Sequence, residues 1–332
     1  MEQRDLGLTG LRVSALGYGC GAVGGLMVRG DPDEQRRAVA RAIEAGINYF
    51  DTAPLYGNGR SEENLGRVLG ELGAGDRVVI GTKVRLSRDD LAAPLAAVRR
   101  SIEQSLRRLG RDHVDLLQLH NPVIEREPGP EDGDALSLAT ARGPVAAGLK
   151  EAVRAGLARH AGFTGLGEVA ALSQLPAAGL ETVQSYFNLL NPSSAYAGAS
   201  GGGQDFTGLL ESCAGAGLGV IAIRVLAAGA LGGTAERPAN AGSPGGSLAR
   251  GSDYATDLAR AQALQPLALQ SGCEGVPELA LRFALTQPGI STALVGYSDF
   301  GQLEDALRWA ERGALPAAAM DRILALARGQ QV

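Results

Sequence analysis
Eight short apolar runs, each followed by a stretch of helical period, restrict the fold of this 332-residue sequence more than any other feature. The runs cover 13–17, 47–51, 78–83, 114–120, 158–164, 182–185, 219–223 and 290–295. Asp31 and Pro32 open a helix over 32–45 that Gly46 closes. Further helical stretches read at 61–72, 89–109, 144–155, 167–175, 206–216, 254–270 with 277–286, and 300–312 as the last full helix. Eight strand–helix units in a chain of this length predict an α/β fold: a (β/α)8 TIM barrel, one domain over 1–332, with long loops at its C-terminal face. A doubly wound open sheet would carry G-x-G-x-x-G after its first strand. Gly17-Tyr18-Gly19-Cys20-Gly21-Ala22 has the glycines without that spacing and reads as a tight barrel loop.

Two stretches break the rhythm, 125–143 and 230–252. Both follow a strand, on the face where barrel enzymes place their sites, and are expected to be lids or binding loops. Surface insertion is the alternative for the first. The 48 glycines, about twice the ordinary ~7%, suit tight turns and close packing of helix on strand.

Composition excludes several function classes. Lys and Arg number 31 against 36 Asp and Glu, a net charge of −5, which argues against a broad basic face for nucleic acid. Cys20, Cys213 and Cys273 form neither a disulfide framework nor a CxxC pair, so a reducing compartment is expected. With His113, His120 and His160 as the only histidines, no Cys/His metal site is expected. No apolar run follows Met1-Glu2-Gln3-Arg4-Asp5, so no signal peptide is read. The stretch 218–233 is broken by Arg224 and glycines and is unfit to span a bilayer. The expectation is a cytoplasmic protein with neither nucleic-acid nor membrane partner; its oligomeric state is not legible.

Polar residues at the strand ends carry the chemistry. Asp51 closes the second run and Tyr56 follows five residues on; Lys83 closes the third and His120 the fourth. In a barrel these ends are neighbours. A free phenol has a pKa near ~10 and is a weak acid at neutral pH. A nearby ammonium is expected to lower it, with the aspartate holding the lysine charged. The histidine orients a carbonyl oxygen. Such a set moves a proton to or from oxygen but supplies no nucleophile and no metal, and a hydride from a nicotinamide fits the gap.

The residues also resemble a known family. Phe50-Asp51-Thr52-Ala53-Pro54-Leu55-Tyr56-Gly57 with Ser61-Glu62 resembles the aldo-keto reductase signature. Lys83 in Gly81-Thr82-Lys83, His120 in Leu119-His120-Asn121-Pro122, and 184–191 match its other motifs. The resemblance implies Tyr56 as general acid/base, Lys83 with Asp51 as its tuning pair, and His120 at the substrate carbonyl. It implies Asn121 and Gln184 on the nicotinamide carboxamide, Tyr186 stacked on the ring, Thr164 as a hydroxyl contact, and Gly19 as bare backbone beside the ring. Leu226 stands where backbone amides meet the pyrophosphate, and Gly296, Ser298, Gln302 and Asp305 resemble the motif for the adenosine end.

Some positions depart from the family pattern. Cys20-Gly21 replaces a Thr-Trp pair and opens the substrate side; Gly165 replaces a polar contact; Asp305-Ala306 replaces Glu-Asn. No Lys or Arg follows Gly296 until Arg308, where the family often binds the 2′-phosphate of NADPH. Arg224 either substitutes as that cofactor contact, binds an anionic substrate, or pairs with a carboxylate. The implied function is an oxidoreductase using NADP(H) or NAD(H) on a small carbonyl or sugar, with a slight lean toward sugar dehydrogenases. A cofactor-binding regulator with little turnover, and a lyase or isomerase without hydride transfer, are the alternatives.

Overall fold
Val79–Val84 and Val114–Leu119 form strands that pair in parallel as neighbours in the sheet. The computed structural model describes residues 1–234, 236–244, 251 and 253–329. Its strands in chain order are β1 (Gln3–Asp5), β2 (Arg12–Ser14), β3 (Leu16–Gly19), β4 (Tyr49–Asp51), β5 (Val79–Val84) and β6 (Val114–Leu119). Then come β7 (Val123–Ile124), β8 (Leu136–Ser137), β9 (Ala158–Thr164), β10 (Thr182–Tyr186), β11 (Gly219–Ile223) and β12 (Thr292–Gly296). Strands β3, β4, β5, β6, β9, β10, β11 and β12 close into a parallel barrel in that order. Helices coat it, and the expected (β/α)8 architecture is present.

The apolar side chains divide into two sets, as a barrel requires. Leu6, Val13, Tyr49, Leu116 and Ile221 fill the barrel axis, with Ile223 beside them. The larger set, including Leu65, Ile102, Leu149 and Phe283, lies between strands and helices. Helix ends follow local chemistry. Asp31 accepts from the amides of Asp33 and Glu34 with Pro32 at the first position of the Pro32–Glu44 helix. Asp299 caps the Phe300–Glu311 helix by accepting from Gln302 N at 2.9 Å.

Four features differ from the sequence reading. The first run, 13–17, divides between two strands. Arg12–Ser14 pairs antiparallel with Gln3–Asp5, and the barrel strand is Leu16–Gly19. The hairpin carries Leu6 and Val13, both fully buried, into the barrel's N-terminal end, so the first apolar residues serve as a plug. The stretch 125–143 is tied down: β7 pairs with β8, and Arg88 donates to Gly133 O at 3.0 Å and to Gly129 O. A helix begins at Leu138 and runs through a π turn across Pro144, earlier than the expected 144. A further helix, Ala317–Ala327, follows Pro316 and buries Ala319 and Ile323; its alanine-rich sequence has too weak a polar face to mark it. Of the stretch 230–252, residues 235, 245–250 and 252 lie outside the described residues. Among the described residues no helix is long and apolar enough to cross a membrane.

Glycine is required where β9 meets β10. A Cβ on Gly162 would lie 2.0 Å from Thr182 Oγ1 and 2.5 Å from Thr182 O. Gly162→Ala is expected to cost about 1–3 kcal/mol or more, read as a lower urea midpoint. Gly70, within the Arg60–Glu71 helix, meets nothing within 4 Å. Gly70→Ala is expected to add about 0.5–1 kcal/mol. Equal midpoints for the two variants would contradict the packing described.

Candidate active site
Neighbouring strands bring the polar strand ends together. Asp51 is the last residue of β4, Lys83 sits one residue from the end of β5, and His120 follows β6 with its amide donating to Val84 O at 2.8 Å. Asp51 is buried and accepts from three donors: Lys83 Nζ, the Tyr49 hydroxyl at 3.1 Å and Gln184 Nε2 at 2.5 Å. Lys83 also donates to Thr52 O at 2.9 Å. Burial alone pulls its ammonium toward neutrality, but Asp51 and then Tyr56 outweigh burial, and Lys83 titrates above its ordinary value.

Tyr56 comes from the turn after β4. Its amide donates to Ala53 O at 3.1 Å, and its carbonyl accepts from Ser61 N at 3.2 Å. Asn58, Gly57 and Gly59 turn the chain back with φ of 54°, 64° and 92°. Ser61 and Glu62 bolt this turn to the barrel. Ser61 Oγ donates to Cys20 O at 2.8 Å and shares a 2.7 Å bond with Thr52 Oγ1. Glu62, fully buried, accepts from Thr82 Oγ1 and Arg108 Nε, each at 2.6 Å. The fixed spacing of acid, tyrosine and Ser-Glu pair is therefore the spacing of one braced turn.

The Tyr56 ring stands edge-on to His120, centroids 6.0 Å apart and planes at 88°. Lys83 Nζ lies 4.8 Å from the Tyr56 ring centroid. The expected lowering of the phenol by Lys83 is present, but burial is the larger influence and Asp51 adds to it. The net direction for Tyr56 is upward. Burial, then Lys83 and Arg85, push His120 well below its ordinary value, so its imidazole is neutral. Its Nδ1 is buried without a partner.

Asp51, Tyr56, Arg85 and His120 border one cavity of about 440 Å3, within the range of ligand sites, while Lys83 stays outside its lining. Gly19, Thr164 and Gln184 line it beside Asp51, Tyr56 and His120. Arg224 and Leu226 line it from the end of β11, and Gly296, Ser298, Gln302 and Asp305 from β12 and the following helix. Some of these groups already have partners. Gln184 Oε1 accepts from Thr164 Oγ1 at 3.3 Å, Gln302 Oε1 accepts from Ser298 N at 2.8 Å, and Asp305 pairs with Arg308 at 2.6 Å.

Two of the expected cofactor contacts, Asn121 and Tyr186, are not among the residues that line the cavity. Asn121 is fully buried and spends its amide on backbone. It donates to Leu86 O at 2.8 Å and Asp134 O at 2.6 Å, and accepts from Leu86 N at 2.8 Å. It ties the ends of β5 and β6 together and does not line the cavity. Tyr186 is stacked on Phe206, centroids 5.3 Å apart and planes at 14°, and is likewise not among the lining residues.

Other lining or supporting groups escaped the sequence reading. Tyr49 lies two residues before Asp51, and Arg85 two after Lys83, so strand alternation places each on its partner's face. That signal was available. Arg85 pairs with Asp134 (Nη2–Oδ1 2.6 Å) and reaches His120 O at 3.4 Å. Arg237, in a loop with no periodicity to mark it, donates to Ala228 O at 3.1 Å, the Tyr254 hydroxyl at 3.2 Å and Gly242 O at 2.5 Å. Gly21 leaves open the space that a side chain would fill: its Cβ would come 3.9 Å from the Tyr56 ring.

Comparison with known proteins agrees with this geometry. The model of the Aldo/keto reductase family matches residues 15–328. The chain belongs to the aldo/keto reductase family. This aldo/keto reductase is 30% identical over 312 residues to L-galactose dehydrogenase of Arabidopsis thaliana, covering 92% of this chain and 86% of that one. It is 39% identical over 137 residues to D-threo-aldose 1-dehydrogenase of a Pseudomonas species, 34% of this chain and 41% of that one. The solved structure of aldo-keto reductase AKR11C1 from Bacillus halodurans, in its holo form, superposes with a TM-score of 0.72 at 24% identity. That match covers 100% of this chain and 98% of the other, and at this identity it speaks for the fold. Membership of the family makes the chain an oxidoreductase.

Proposed function
We propose that this chain is a nicotinamide-dependent oxidoreductase that reduces an aldehyde or ketone, or oxidises the corresponding alcohol or sugar, with Tyr56 as the general acid/base. The observation that carries the reading is the Asp51–Lys83 pair set beneath a half-buried Tyr56 that faces a neutral His120 at the cavity.

The fit of a dinucleotide rests on three features. The cavity reaches in one piece from His120 and Tyr56 to Ser298 and Asp305. Gly19 presents bare backbone against Gly296, and a Cβ there would come 3.1 Å from Val295 O. After β11, Leu226 at φ −99° is followed by Ala227 at φ 46° and Ala228 at φ 58°. A right-handed residue followed by a left-handed one bends the backbone into an anion-binding concavity suited to a pyrophosphate, in which the Ala227 amide itself donates to Arg224 O at 2.8 Å. Gly19, Thr164, Gln184, Leu226, Gly296, Ser298, Gln302 and Asp305 would hold the dinucleotide. When bound, it supplies or accepts the hydride.

The chain's own residues manage the proton. Tyr56 keeps its proton at Oη through the neutral range because burial raises its pKa. In reduction it gives that proton to the carbonyl oxygen; in oxidation it takes one from the alcohol. Lys83, held charged by Asp51, stabilises the phenolate left behind. Neutral His120 donates a ring N–H to the substrate oxygen and orients it. Ile223, Leu226, Val295 and Tyr297 supply apolar wall that excludes water.

The pH dependence follows with its sign. Reduction needs the protonated phenol, so its kcat/KM is expected to stay level through neutral pH and fall only above about 10. Oxidation needs the deprotonated form and is expected to rise over the same range. A limb centred near pH 6.5 in the reductive profile would point to His120 as the titrating group and contradict its neutral state.

Side-by-side titration of NADH and NADPH on cofactor-free protein tests the reading. Among the described residues Arg308 is spent on Asp305 and Glu274, and Asp305 itself brings negative charge to its side of the cavity. NADH is therefore expected to bind more tightly. Tighter NADPH binding would overturn that preference alone. Binding of neither would overturn the hydride mechanism.

A further inference from the structure
Arginines differ in how this cavity uses them. Arg85 is paired with Asp134, and Arg237 gives its guanidinium to two carbonyls and a hydroxyl. Among the described residues Arg224 has one long bond, from Nη1 to Pro244 O at 3.2 Å. Among the described residues no carboxylate pairs with it; the charged and polar groups acting on it are the phenols of Tyr186 and Tyr56.

Its backbone is also unusual. Arg224 sits at φ 59°, the left-handed region that disfavours a residue with a side chain. Asn188 Nδ2 clamps the Arg224 carbonyl at 3.1 Å. An observed outlier of this kind at a cavity wall motivates a functional reading. Left-handed backbone just past the end of β11 turns the side chain to line the mouth of the barrel instead of continuing the strand's alternation. In the closed barrel β11 lies four strands from β5 in either direction, so Arg224 stands across the mouth from Lys83.

We propose that Arg224 is the specificity-determining residue for the substrate, and that the substrate is a carbonyl compound carrying a carboxylate. A half-buried guanidinium without a counter-ion is costly in a cavity with apolar walls. A carboxylate satisfies it through two parallel N–H···O bonds. A single positive charge matches a carboxylate better than a phosphate dianion. The carbonyl then rests between Tyr56 and His120 while the acid end is held from the opposite strand. The space beside Tyr56 left open by Gly21 admits the chain between the two groups. This inference rests on the oxidoreductase reading and names the substrate class for the same site.

The test compares matched aldehydes with saturating cofactor: succinic semialdehyde against butanal, and 4-carboxybenzaldehyde against 4-methylbenzaldehyde. The unmodified protein is expected to prefer the carboxylated member of at least one pair, chiefly through KM. Arg224→Gln is expected to reduce that preference by on the order of 10²-fold, and Arg224→Lys to restore part of it. No preference for a carboxylated aldehyde in the unmodified protein overturns the inference, whatever the variants do. So does a loss in Arg224→Gln that falls equally on both members of a pair, or that follows a weakened cofactor Kd, since Arg224 would then serve the dinucleotide. Absence of turnover with every aldehyde and both cofactors overturns instead the oxidoreductase reading beneath it.

Discussion

Tyr56→Phe is expected to leave the nicotinamide cofactor bound and to lower the rate of carbonyl reduction by about 10²–10⁴-fold, the ordinary contribution of a positioned general acid. The substitution removes one oxygen and keeps the ring. The edge contact with His120 and the braced turn from Ala53 to Ser61 need only the ring and the backbone. Stability should therefore change little, while the group that carries the proton is gone. Among the described residues no other acid is so placed, because His120 is neutral and lacks the driving force of an imidazolium. Single-turnover loss of reduced-cofactor absorbance measures the step directly. A rate within tenfold of the unmodified protein would show that the proton reaches the oxygen by another route.

Lys83→Met should have the largest effect on stability, a loss of about 3–5 kcal/mol. Lys83 and Asp51 are both nearly inaccessible, with side-chain exposures of 1% and 2%. Removing the cation leaves the Asp51 carboxylate buried with only the Tyr49 hydroxyl and the Gln184 amide as donors. Neither carries charge. The double variant Asp51→Asn with Lys83→Met removes both charges and is expected to recover most of the loss, because the uncompensated carboxylate causes it. Activity should return in neither, since the phenolate of Tyr56 would have no ammonium to stabilise it. Urea midpoints for the single and double variants decide the matter. A double variant no more stable than Lys83→Met would mean that packing of the lysine stem, not charge, holds this layer together.

The barrel was legible because its signal is local and repeated. Apolar runs such as 114–120 alternate with helical stretches such as 89–109, and eight repetitions leave few architectures. The strand ends were legible for the same reason. Asp51, Lys83 and His120 each follow an apolar run, and parallel neighbours bring their ends together. The misassignment at 13–17 was of another kind. Arg12–Ser14 and Leu16–Gly19 are both short and only one residue apart, and only the pairing of the former with Gln3–Asp5 distinguishes plug from barrel wall.

Asn121 and Tyr186 show how much of a motif residue's surroundings the sequence leaves open. Each sits beside a residue of the site, yet the Asn121 amide is consumed by the backbone of Leu86 and Asp134, and Tyr186 is stacked on Phe206. All three partners lie more than ten residues away in the chain. Arg224 is the converse case: its type was readable, but three roles stayed open until its surroundings were known.

By itself, the sequence of this protein determined the alternation of strand and helix, the order of polar residues along the strand ends, and the types of group available for proton transfer. These depend on neighbours in the chain, whose hydrophobic period and turn residues act over a few positions. The tertiary structure alone decided that burial outweighs Lys83 at Tyr56, that His120 is neutral, that Asn121 braces backbone, and that Arg224 lines the cavity with no carboxylate partner among the described residues. Solvent exclusion and the partner of each hydrogen bond come from strands and loops distant in sequence. Electrostatics in a cavity depends on what surrounds a charge more than on which residue carries it.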